Sequence, residues 1–380
     1  MISRIMFCLL ILCCSFLTTG CWDQKVMQDT YYVVAMGADY KDNQYTAYLQ
    51  FMDFSQVAKT EQGKSNEKIP LWIATGTGQT WPDALRNILE ASPQPYVLSH
   101  VSSVILTDSA IEHGMSHIMD WLRRYPDFRL TGWMFGTKDN IQQILSATPL
   151  FNLAPLTLIE HTPRAIVKQY IFIPPLQVLD FNRQYQGTAS AVVLPSLSMT
   201  NAWSEGDESH PQPYINGAFL FQHRKYQHWM STKALAGYRW VTYNVKRTVI
   251  TVQERPNAPS LEVAVSNVKP IIKAQMKQGR LVFNVRVKGK ATILAQDRIK
   301  GNMDKMIDKE IQQEIMRTFL SGINKGTDVL HLENTLYRKQ NRLWKATFER
   351  KHLSIEKNML GQVTVDMKVN HAGRWRMDVK

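Results

Sequence analysis

Hydrophobic positions along the chain follow two periods, and the switches between them mark out the elements. Tyr31-Tyr32-Val33-Val34-Ala35-Met36-Gly37 is a continuous apolar run and Tyr45 to Phe51 another, joined by polar Asp39 to Asn43, which predicts a buried hairpin. Ser55 to Lys68 is polar and aperiodic, an exposed loop before a strand at Leu71 to Ala74. Thr80 and Asp83, with Pro82 between them and an apolar stripe of Ala84, Leu85, Ile88 and Leu89, predict a reciprocally capped helix. Tyr96 to Leu106 is rich in β-branched residues and predicts a strand with His100 in its middle as a structural histidine. Ser109 to Arg124 carries Ile111, Met115, Ile118, Met119 and Leu122 at helical spacing; a strand at Leu130 to Phe135 and a helix at Lys138 to Ser146 follow. This alternation predicts a compact α/β unit.

Residues 148–200 mix prolines with short apolar runs, and the breaker-rich stretch from Ser204 to Pro213 predicts a boundary. Short strands are expected at Gly217 to Gln222, Val241 to Tyr243, Val249 to Gln253 and Leu261 to Val265. Further on, Leu281, Phe283, Val285 and Val287 alternate with Val282, Asn284, Arg286 and Lys288, a strand with one cationic face entered through a turn at Gln278-Gly279. Met303, Ile307, Ile311, Ile315 and Phe319 recur every four residues, so Met303 to Ile323 is a long amphipathic helix ending near Asn324-Lys325-Gly326. Val363, Val365, Met367 and Val369 repeat the strand pattern. The expected class is α+β and multidomain, with mixed and antiparallel sheets flanked by helices. Its expected parts are a signal peptide (1–20), an N-terminal α/β domain (21–200), a small β-rich middle domain (201–265) and a basic domain with an antiparallel sheet and a long helix (266–380).

The chain opens with MISRIMFCLLILCCSFLTTGC, a cation at Arg4 followed by an apolar run from Ile5 to Leu17. That run is shorter than the roughly 20 residues a spanning helix needs, so a cleaved secretory signal is expected. Small residues ending in Gly20-Cys21 resemble the lipobox of bacterial lipoproteins, in which the cysteine receives a diacylglycerol and becomes the mature N-terminus. All four cysteines, Cys8, Cys13, Cys14 and Cys21, lie at or before this point. A mature chain starting there has no internal disulfide, thiolate metal site or cysteine nucleophile.

Charge changes the picture of the C-terminal third. The whole chain carries +13, from 45 Lys and Arg against 32 Asp and Glu. Residues 266–380 hold 24 cations against 11 acids, whereas residues 22–265 hold 20 against 21. Such segregation points to anionic headgroups or an acidic partner. Lys273, Arg286 and Lys288 are the candidate interaction residues. Nucleic acid is not expected, since no zinc-finger spacing or aromatic RNA-binding signature accompanies the cations.

Catalytic signatures are absent from the sequence. There is no Gly-x-Ser-x-Gly, His-Glu-x-x-His, cysteine pair or EF-hand loop, and Gly76-Thr77-Gly78 lacks the rest of a phosphate loop and reads as a turn. His223 and His228 are spaced for neither one helix face nor one strand face. Asp120 and Asp127 sit among Arg123, Arg124 and Arg129, as an ion-pair network would. No enzyme activity, cofactor or metal is expected.

Gly20-Cys21-Trp22-Asp23 resembles the opening of the Ger(x)C spore germination lipoproteins. Tyr96-Val97-Leu98-Ser99-His100-Val101 and the segment Asp120 to Arg129 resemble that family's strand and its D-x-L-x-R-x-P-E-x-R motif, with Asp127 at the glutamate. The likeness continues through Gly217-Ala218-Phe219-Leu220-Phe221, Leu336-Tyr337-Arg338-Lys339 and Trp344-Lys345, and departs at Ile293 to Gln296 and Thr327 to Leu332. The resemblance implies a non-enzymatic C subunit of a nutrient germinant receptor with a three-domain α+β structure. It also implies a lipid anchor through Cys21 on the outer face of the spore inner membrane, beside integral-membrane A and B subunits. The rival expectations are an exported solute-binding lipoprotein, which needs two similar lobes around a cleft, and a lipid-anchored cell-wall hydrolase.

Overall fold

In the first strand, β1 (Tyr31–Lys41), the six residues from Val33 to Ala38 are all buried, the mark of a strand covered on both faces. It lies inside a mixed sheet in a computed structural model that describes residues 30–52, 70–164, 173–241, 247–253, 260–296, 302–350 and 353–370. The signal, Cys21 and the expected loop Ser55 to Lys68 lie outside the described residues. β1 turns through Asp42 and Asn43, both at positive φ, into antiparallel β2 (Gln44–Phe51), which pairs with β3 (Trp72–Gly78). Gly76-Thr77-Gly78 therefore belongs to a strand and not to a turn. A Cβ at Gly76 would collide with the backbone of α1 (Trp81–Ala91), so the glycine lets helix and strand approach. Thr80 caps α1 by accepting from the Asp83 N–H at 3.3 Å, and its hydroxyl donates to the Asp83 carboxylate at 2.6 Å.

The expected strand Tyr96 to Leu106 is two strands. β4 (Tyr96–Val97) pairs with Tyr31 and Tyr32, β5 (Ser103–Thr107) pairs with Ala35 to Ala38, and the link steps across the bulge between Val33 and Ala35. His100 falls in that link, exposed and edge-on to Tyr32 at 5.0 Å, because the pairing it would need is interrupted there. A π-helical turn at Ala110–Gly114 leads into α2 (Met115–Arg124), which buries Met115, Ile118, Met119 and Leu122. β6 (Trp133–Thr137) runs parallel to β5, and the short α3 (Ile141–Leu145) is capped by Asn140. After β7 (Leu176–Gln177) comes α4 (Val178–Gln186), a helix the proline-rich reading of this region missed; its apolar face is only Val178 and Phe181. β8 (Ala191–Thr200) then joins β6 in parallel.

The boundary expected at Ser204 to Pro213 is a small excursion from this sheet. It forms the two-stranded hairpin of β9 (Ser204–Glu205) and β10 (Glu208–Ser209), after which β11 (Gln212–Gln222) returns antiparallel along β8 and pairs with β12 (Lys225–Ser231). The main path of the ten-stranded sheet runs β12-β11-β8-β6-β5-β1-β2-β3. Strands read as a separate unit over 201–265 are thus divided: β11 and β12 complete the first sheet, while β13 (Arg247–Gln253) and β14 (Ser260–Lys277) open the second. Of the strand expected at Val241 to Tyr243, Val241 closes a turn and the other two residues lie outside the described ones.

The second sheet has the order β13-β14-β15-β16, with β15 at Arg280–Gln296 and β16 at Leu360–Asn370. Gln278 and Gly279, both at positive φ, make the two-residue turn between β14 and β15. The expectation of a wholly antiparallel sheet is corrected at its last strand, since β16 runs parallel to β15. A parallel neighbour requires a long crossover, and α5 (Met303–Ile323), α6 (Leu332–Lys339) and α7 (Asn341–Trp344) provide it. Ile307, Ile311, Ile315 and Phe319 of α5, which runs beside β16, are buried in one core with Phe283, Val285 and Val287 of β15. Burial of each such side chain is worth up to about 1.5–3 kcal/mol.

One apolar core links the two sheets. Ala218, Leu220 and Met230 from one face of β11 and β12 join it, while Phe219 and Phe221 face the opposite core. Between the layers runs the turn Ala236–Trp240, where Gly237 lets backbone meet α5 and donates its N–H to Thr318 Oγ1 at 2.9 Å. Next to it, buried Arg239 donates through Nη2 to both Glu314 oxygens at 2.6 and 2.8 Å, and Trp240 Nε1 donates to Glu314 Oε2 at 2.6 Å.

Candidate interaction surface

Alternation on β14, β15 and β16, interrupted by bulges between Glu262 and Val263 and between Ser266 and Lys269, sends most apolar residues into the core and most polar ones to the opposite side. That outer face includes Lys273, Arg286 and Lys288, all exposed, so the three basic candidates share one surface. Register places Lys273 opposite Asn284, and Arg286 between Ile271 and Thr364. Lys288 lies between Lys269 and Asp366, 3.7 Å from the Asp366 carboxylate.

The register also recruits cations that sequence reasoning did not single out. Lys290 lies between Ser266 and Lys368, with Arg247 beyond Ser266 on β13, and Lys277 faces Arg280 beside the turn. Lys269, Lys273 and Lys277 repeat at even spacing, a period-two signal already present in the sequence; which cations meet across strands depends on pairing alone. Three like-charged pairs, Lys269 with Lys288, Lys290 with Lys368 and Lys277 with Arg280, therefore stand directly opposite one another. Directly opposed like charges destabilise a sheet, and partners roughly 5 Å apart lie well inside a Debye length of about 8 Å. Asp366 and Glu262 are the acids at the described outward positions of these strands.

The remaining candidates separate. Cys21 lies outside the described residues. Asp120 pairs with Arg123 at 3.2 Å and Arg124 at 2.8 Å on the exposed end of α2, and the Arg124 hydrogen bond holds its carboxyl below the usual range. His223 sits exposed in the β11–β12 turn at positive φ, whereas His228 is half-buried on β12, so the two do not form one site.

Two buried acid and histidine groups were not visible in the sequence. Glu160 is fully buried with neither carboxylate oxygen in a well-formed hydrogen bond, and burial, partly offset by its own backbone N–H, pushes it up to about 8. Neighbouring His161 is brought down to about 4 by burial, and its Nδ1 lies 2.7 Å from Ser102 Oγ. The same hydroxyl lies 3.0 Å from the Val34 carbonyl, which also accepts the Ser102 N–H at 2.9 Å. In the second core, Asp328 Oδ2 accepts the Glu333 N–H at 2.8 Å at the start of α6, and Trp344 Nε1 donates to Glu333 Oε1 at 3.1 Å. Burial raises Asp328 to about 7. These contacts are internal ties, and among the described residues no group of three or more His, Cys, Asp or Glu side chains is placed to hold a metal ion. Among the described residues no helix is long and apolar enough to cross a membrane.

Comparison with known proteins matches this architecture along its length. Residues 23–199 match the family described as spore germination protein N-terminal domain, and residues 216–373 the family described as spore germination B3/GerAC like, C-terminal. Spore germination protein KC of Bacillus subtilis (strain 168) is 22% identical over 97% of this chain and 95% of its own. Spore germination protein GerQC of Bacillus cereus is 24% identical over 79% of this chain and 82% of its own. The crystal structure of the GerBC protein superimposes with a TM-score of 0.51 at 11% identity, covering 89% of this chain and 97% of that one, which shows a shared α+β fold. Two adjoining family matches that together run through both sheets leave one assignment: the chain belongs to the Ger(x)C family of spore germination proteins.

Proposed function

We propose that this protein is the C subunit of a spore nutrient germinant receptor. In this reading it is exported, cleaved before Cys21, acylated there and held on the outer face of the spore inner membrane. It works by assembly with integral-membrane A and B subunits and not by catalysis. The observation that carries the reading is the family match from residue 23 to residue 373, beginning two residues after a lipobox-like Gly20-Cys21. Two acyl chains anchor stably where one binds only marginally, so a diacylglyceryl cysteine suffices for retention.

The test is affinity purification of the tagged protein from detergent-solubilised spore inner membranes, with mass spectrometry of its N-terminal peptide and of everything that copurifies. A diacylglyceryl Cys21 and two polytopic partners are expected, and Cys21→Ala should abolish the acylated N-terminal peptide. An unmodified N-terminus with no membrane partner would overturn the reading.

A further inference from the structure

The outer face of the second sheet contains an electrostatic conflict that the folded chain does not resolve. Lys269 opposes Lys288 and Lys290 opposes Lys368 across neighbouring strands, with Asp366 as the one carboxylate in salt-bridge range of these four among the described residues. No described element covers this side: α5, α6 and α7 pack into the core beneath the opposite face. Lateral repulsion of this kind is relieved by a layer of anions spread over several strands at once, and a single buried counter-ion could not reach all the rows.

We propose that this face lies against the anionic phospholipid headgroups of the membrane to which the chain is anchored. The proposal rests on the lipid-anchored reading above for its location, and on the register of charges for its chemistry. A broad cationic sheet face needs no fixed ligand geometry from a fluid headgroup layer, in which anionic lipids redistribute beneath the cations. Ile271, 40% exposed beside Arg286, adds an apolar contact suited to the headgroup boundary. Aromatic side chains, the usual stacking platform for single-stranded nucleic acid, are absent from the described outward positions of β13 to β16. Docking in this way fixes which side of the protein turns away from the membrane.

The experiment uses the unlipidated mature chain from Trp22, which contains every described residue, and its sedimentation with phosphatidylcholine vesicles with or without phosphatidylglycerol. Binding is expected only with phosphatidylglycerol and should weaken as salt is raised. Changing Lys273, Arg286 and Lys288 together to glutamine should reduce it by about a hundredfold, at a factor of roughly five per cation near an anionic surface. A control triple removes the same charge from the exposed residues Arg338, Lys339 and Arg342 on the helical side of the sheet, and should bind nearly as the parent does. Asp366→Asn should tighten binding.

Equal losses in the two triples would overturn the proposal, because net charge and not this face would then be the cause. So would binding indifferent to phosphatidylglycerol, or a sheet triple that keeps vesicle binding while losing its copurifying membrane proteins, which would assign the face to an acidic protein surface. Acylation of Cys21 is read separately by mass spectrometry, so failure of the anchor and failure of the face are distinguishable.

Discussion

Replacing Glu160 by glutamine should make the protein more stable, and by an amount that depends on pH. The carboxyl is fully buried and raised from 4.5 to about 8, so the folded protein keeps a proton that the unfolded chain releases. Where the native state binds more protons, stability falls as pH rises, by about 1.4 kcal/mol per pH unit. From 4.5 to neutrality this accumulates to about 3 kcal/mol, which glutamine, close in shape and without a titrating proton, does not lose. His161 acts with the opposite sign: lowered from 6.5 to about 4, it stays neutral when the unfolded chain takes up a proton, so its contribution falls as pH drops through that window. The parent should therefore lose stability from these two groups on both sides, with their slopes cancelling between about 4.5 and 6.5. Urea unfolding of parent and Glu160→Gln across this range gives the difference directly. A gain near 3 kcal/mol at neutral pH that shrinks below 1 kcal/mol by about pH 5 is expected. A difference independent of pH would refute the assignment of a protonated buried carboxyl.

Two further outcomes follow from the fold. Glu314→Ala leaves Arg239, 3% exposed, without its bidentate partner and frees Trp240 Nε1, and should cost about 3–5 kcal/mol in urea unfolding. Thr80→Ala removes the α1 cap and should cost about 1 kcal/mol, read as a small fall in thermal midpoint without loss of secondary structure.

Legibility followed the range of the interactions. The helix Met303 to Ile323 and the cap at Thr80 were readable because their determinants lie within a turn or two along the chain. The strands around Val285 and Val365 were readable because one face is apolar and the other is not. What joins those strands was not: the parallel direction of β16, the return of β11 along β8 around a polar hairpin and the break at His100 are pairings between distant residues. The candidate face shows the same division, since Arg286 and Lys288 stood out by alternation and Lys269, Lys273 and Lys277 share an even spacing, while the pairing that sets Lys269 against Lys288 and Lys290 against Lys368 lies in the register alone. Glu160 and Asp328 could not be found at all, because a lone acid looks the same in sequence whether it ends in water or in a core.

The path of the first sheet also bears on how the protein can be divided for experiment. The two family matches part between residues 199 and 216, and that interval is flanked by β8 and β11, which pair along nearly their whole lengths. A fragment stopped there would present β8 as a long, apolar, unprotected edge, the kind of template on which chains add to one another. The seam between the two family matches is therefore a poor place to cut an expression fragment.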